Sequence, residues 1–144
     1  MISYEDLYTQ NHKITELSNV LSVLLKDRSL CDSGTCTSLF YNYMELVEGH
    51  MKNVDSNLYV DLLRDKSTEA NNIATNFMSG SQEIKRIMNS YARKWCDKRN
   101  HELSIGSKHD IFIKETDEMF EMVLNRIQDE MEHLYPMVRK INAS

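Results

Sequence analysis

The chain has 144 residues, a length suited to one domain that buries roughly two-thirds of the surface its unfolded chain exposes. Its 41% apolar and 27% charged content is too hydrophobic for disorder, and no apolar run approaches a membrane span. The net charge of -5, with basic residues dispersed among acids, argues against nucleic acid, which needs a basic face.

One proline and four glycines leave little punctuation, and the runs between breaks are rich in Leu, Met, Glu and Lys, so an all-α chain is expected. The opening MISYEDLYTQ carries acids and no apolar signal core, which predicts a cytoplasmic protein. A first helix over residues 4–27 gathers Leu7, Ile14, Leu17, Leu21 and Leu24 into one stripe. SLCDSGTCTS then breaks the pattern as a loop. Its Cys31 and Cys36, with distant Cys96, make no even disulfide framework, and a single CxxxxC is a weak zinc signal, so reduced thiols are expected.

The second helix, residues 38–56, aligns Phe40, Tyr43, Val47, His50 and Val54, with Leu58 continuing the face. LLRDKSTEA reads as a short turn with a helix-start signal at Ser67 and Thr68. The third helix, to residue 98, carries Ile73, Phe77, Ile84, Ile87, Tyr91 and Trp95, and passes over Gly80, a costly residue inside a helix. The fourth, residues 108–132, stacks Phe112, Met119, Val123, Ile127 and Glu130, and Pro136 helps to stop it. Met44, Met51, Met88 and Met119 lie near these stripes as core filling. Four amphipathic helices with short connections predict a single domain over residues 1–144, an antiparallel up-down-up-down four-helix bundle.

Two stretches end alike. HMKNVDSNLYV and RIQDEMEHLYP each run to Leu-Tyr before a change of direction, pairing His50 with Arg126, Val54 with Glu130 and Tyr59 with Tyr135. The first has a histidine without a carboxylate four residues on; the second has the carboxylate without the histidine.

LFYNYMELVEGHMKNVDSNLYVDLL, then FMSGSQEIKRIMNSYARKW and RIQDEMEHLYPMV, resemble the bacterial hemerythrin-like, or HHE, domains over nearly the whole chain. The resemblance implies a four-helix bundle holding non-haem iron, often two ions, and an association with oxygen, nitric oxide or iron sensing. It implies a histidine on the first helix, HxxxE on the second, a ligand on the third, and His or Arg four residues before Glu on the fourth. Residues four apart share a helix face, so such a pair can reach one ion.

Carried onto this chain, the pattern keeps His50 but has Val54 where a glutamate belongs, with Asp55 off the inner stripe. It keeps Glu130 but has Arg126 before it, a cation that repels a metal and can fill the space of a lost iron. The third helix offers neither histidine nor acid near Gly80 to Gln82. His12 resembles the first ligand, yet periodicity sets Asn11 beside the stripe and His12 on the surface. His109 and His133 are expected to face solvent, and His101 has no partner at ligand spacing.

The expected protein is therefore a hemerythrin-like domain with a degraded di-iron site, a non-catalytic regulatory or interaction module with an unknown protein partner and neither nucleic acid nor membrane. His50 should then find Glu130, with Arg126 or Tyr43 completing the network. The alternative is a working non-haem iron protein for O₂ or NO, in which an irregular start to the first helix turns His12 inward to join His50 and Glu130 as a 2-His-1-carboxylate set. No phosphate loop, nucleophile elbow or HExxH suggests another enzyme class.

Overall fold

A computed structural model describes residues 3–143, almost all of them helical. Helix α1 (Tyr4–Leu24) starts at Ser3, whose Oγ accepts the Asp6 N–H at 3.1 Å, and carries Glu5 and Asp6 in its first turn, where the helix dipole favours acids. It ends at Leu24 rather than 27 because Asp27 caps a further single turn, α2 (Arg28–Cys31), by accepting the N–H groups of Ser29 and Leu30. Ser33 then caps α3 (Gly34–Asn57). SLCDSGTCTS is thus mostly helical rather than a loop: its Ser and Asp serve as caps, and α3 begins inside it. Cys31 and Cys36 sit in the core with free thiols, and burial pushes Cys31 up to about 11 and raises Cys36 too. Such thiols are poor nucleophiles.

Residues Tyr59–Arg64 form the short helix α4, which takes in the first three residues of the expected turn LLRDKSTEA. The turn itself follows at residues 65–67, and the next helix starts at Ser67 and Thr68 as expected. Leu58 still donates its N–H to Val54 O at 3.1 Å, so the chain redirects without losing a helical bond. Asn71 Nδ2 fastens the following turn, donating to the carbonyls of Leu62 and Asp65 at 2.7 and 3.1 Å. Helix α5 (Thr68–Trp95), capped by Ser67, stops at Trp95 because the next residues enter an antiparallel ribbon of β1 (Cys96–Asp97) and β2 (Glu102–Leu103). Helix α6 (His109–Asp129) follows. His109 does not face solvent freely: it is half-buried, and its Nε2 donates to Leu25 O, at the end of α1, at 2.7 Å. His133 is exposed, as is His101, which stacks on Tyr41 at 4.0 Å.

Pro136 does not stop the last helix. After α6 the chain widens into a π-helical turn, Glu130–Leu134, closed by the Tyr135 N–H bonding Glu130 O, and continues as α7 (Tyr135–Asn142). Proline falls in the first turn of α7, where its missing N–H is least costly.

Helix α1 packs on α3 and α6, α5 on α6, and α4 on α5 and α7. All six apolar-face positions read from Phe40 to Leu58 are buried, as are Phe112, Met119, Val123, Ile127 and Glu130 on the last helix. On α5 the buried edge differs in its first half, using Ala70, Ala74 and Ser81, while Ile73 and Phe77 are only half-buried. Small side chains there let α4 approach. Two apolar clusters result, one with Ile14, Phe40, Val47, Val123 and Ile127, the other with Leu7, Val54, Leu58, Leu134 and Tyr135. Among the described residues no helix is long and apolar enough to cross a membrane.

Candidate functional site

His50, Arg126 and Glu130 lie where the first apolar cluster ends on their helices, with Met51 and Ile127 its last members there and Val54 and Leu134 the first of the second. All three are buried, Glu130 completely. A carboxylate with no water must have every oxygen engaged, because an unpaired buried charge costs several kcal/mol.

Here the engagement is full. Glu130 Oε1 accepts from His50 Nε2 at 2.6 Å and from the Tyr135 hydroxyl at 3.0 Å, while Oε2 accepts from Arg126 Nε at 2.8 Å. The π turn makes this possible. Residues five apart on an α-helix point about 140° away from one another, from 3.6 residues per turn. The i to i+5 bond instead stacks Tyr135 over Glu130, so the phenol can reach the carboxylate of its own turn.

Arg126 spreads its fork over two further elements. Nη1 donates to Phe77 O at 2.9 Å, and Nη2 donates to the Tyr59 hydroxyl at 2.8 Å and to Ser81 Oγ at 2.9 Å. Its guanidinium carbon lies 4.7 Å from the Phe77 ring centre. Gly80 explains the close approach: a Cβ there would come within 3.1 Å of Nη1. The glycine that is costly to α5 is what admits the guanidinium.

On the α1 side, Gln10 Oε1 lies 2.8 Å from His50 Nδ1, so both ring nitrogens face oxygen. Asn11 Nδ2 donates to the Tyr135 hydroxyl at 3.1 Å. Burial pushes the Glu130 carboxyl up, but the hydrogen bonds and charges of His50 and Arg126 outweigh it and leave the group below its ordinary value. Burial, then the Glu130 charge, raises Tyr135 and keeps its phenol a donor.

His50 and Glu130 are therefore in direct contact. His12 is elsewhere: it is exposed on α1, with its Nε2 3.4 Å from Glu16, and Asn11 takes the inward position. Tyr43 does not complete the network. Its ring packs edge-on against Phe120 at 4.8 Å, and its buried hydroxyl has no hydrogen-bond partner among the described residues. Val54 fills the second apolar cluster, and Asp55 pairs with Lys85 at the surface. Gln10, Tyr59, Ser81 and Tyr135 were missed by ligand counting. The matching Leu-Tyr endings carried a signal for two of them, since each delivers a phenol to the network.

Could these residues hold iron? Both Glu130 oxygens are engaged, a guanidinium stands beside them, and among the described residues no three His, Cys, Asp or Glu side chains gather where they could bind a metal ion. The donor set fits an internal ion-pair network and does not fit a di-iron centre. No protein-family model matches the chain, and comparison with curated proteins and with solved structures finds no significant match.

Proposed function

We propose that this chain is a hemerythrin-like, up-down-up-down four-helix bundle that works without iron, as a non-catalytic regulatory or protein-interaction module. In this reading the Arg126–Glu130–His50 network stands where the resemblance would put di-iron. The supporting observation is the Arg126 guanidinium itself, which donates to Glu130 Oε2 at 2.8 Å and reaches three more acceptors on α4 and α5. A divalent ion beside it would meet like charge and a carboxylate already shared.

Catalysis finds no support at the network, because a carboxylate shut off from solvent, with both oxygens bonded, has no free edge for a substrate. The iron-binding alternative through His12, His50 and Glu130 would need α1 to turn until His12 replaces Asn11.

Metal analysis of protein produced with iron supplied tests the proposal. The expected result is no stoichiometric iron and no oxo-bridge absorption band. Close to two irons per chain with that band would overturn it, as would one iron per chain that is lost in His50→Ala.

A further inference from the structure

The outer side of Gly80 opens into a groove of about 640 Å³ between α5 and α6. Towards the ribbon it runs into a hollow of about 370 Å³ that shares Ile87, Glu118 and Met122 with it. The floor is apolar, with Phe77, Ile84, Ile87 and Met122. The two lips differ in charge. On the α5 side Glu83 is held by Arg86 at 2.6 Å, and at the far end Glu115 is held by Lys94 at 2.8 Å. On the α6 lip Glu118, Glu121 and Asp129 are exposed, and no ion pair or side-chain hydrogen bond engages them among the described residues. With Asn125 they recur at three- and four-residue steps, so they form one ridge beside the floor.

We propose that this groove receives a basic amphipathic helix from a partner protein. Its apolar side would lie on Phe77, Ile84, Ile87 and Met122, and Lys or Arg at matching steps would face Glu118, Glu121 and Asp129. The proposal rests on the protein-interaction reading above and names the partner's chemistry. Charge complementarity selects this occupant: the unbalanced lip is acidic, and the chain as a whole carries -5, so a second copy would bring acid against acid. Arg126 lies buried beneath the groove and is ion-paired with Glu130, which weakens its repulsion of the incoming cations. From Phe77 to Lys94 the α5 wall is about 26 Å long at 1.5 Å per residue, room for a helix of about 17 residues.

The test titrates the full-length chain, methyl-labelled, with a synthetic helical peptide carrying Leu on one side and Lys at three- and four-residue steps on the other. A second peptide replaces each Lys with Glu. Saturable shifts of the Ile84, Ile87 and Met122 methyls are expected with the Lys peptide only. Reversing the lip with Glu118→Lys and Glu121→Lys should weaken binding at least about tenfold and flatten its salt dependence. Glu16→Lys on α1 should leave it unchanged. Absence of binding, shifts at other methyls, or equal binding by the reversed chain overturns the proposal, and the wild-type methyl map decides even where the reversed chain folds poorly. Iron content separates the two failures: an iron-free chain that ignores the peptide loses the groove and keeps the module reading, whereas an iron-loaded chain loses the reading.

Discussion

Dehydrating a guanidinium costs several kcal/mol, and Arg126 stays inside only because its fork meets a carboxylate, two hydroxyls and a main-chain carbonyl. Removing one partner should therefore hurt more than removing both. Arg126→Met, which leaves Glu130 Oε2 buried without its partner, is expected to lower unfolding free energy by about 3–5 kcal/mol. Adding Glu130→Gln should recover part of that loss, and denaturant unfolding of the two variants reads the difference. Equal losses would mean that the pair is not coupled. The Arg126–Glu130 contact was legible in the sequence because residues four apart share a face. Partners from other elements were not, since nothing local tells Gln10 or Ser81 which helix will arrive beside it.

At the scale of elements, periodicity served best where large apolar residues make the contact, as from Phe40 to Val54 on α3 and from Phe112 to Ile127 on α6. It misled on the first half of α5, where Ala70, Ala74 and Ser81 carry the packing and large side chains lie beside them. The helix α4 and the π turn were also hidden. Six residues are too few to show a period, and a π turn has the same residue types as the helix around it. Gly80 separates two opposing effects on α5. Alanine in a helix interior normally stabilises over glycine by about 1 kcal/mol. Here its Cβ would meet Arg126 Nη1 at 3.1 Å, so Gly80→Ala is expected to destabilise instead, by displacing the guanidinium from the Phe77 carbonyl. A chain stabilised by about 1 kcal/mol in thermal unfolding would show that the arginine yields freely.

For the whole molecule, the network ties stability to acid. The Glu130 carboxyl is lower in the folded chain than in the unfolded one, so its contribution is complete above the ordinary carboxylate value of about 4.3 and is lost as pH falls through the folded value. Stability should fall on the acid side of that point, and Glu130→Gln should give a shallower acid limb at the cost of lower stability near neutrality. An unchanged acid limb in the variant would assign the loss to other carboxylates. The same network has a consequence for assembly. Its members come from α1, α3, α4, α5, α6, the π turn and α7, and one hydrogen bond joins residues 124 positions apart. Either apolar cluster could collapse first by itself, but a half-docked chain would enclose a charge whose counter-charge or hydrogen-bond partners had not yet arrived. Partly folded forms are thereby penalised twice, once in exposed apolar surface and once in stranded charge. The polar seam therefore joins the two apolar clusters into one cooperative folding unit.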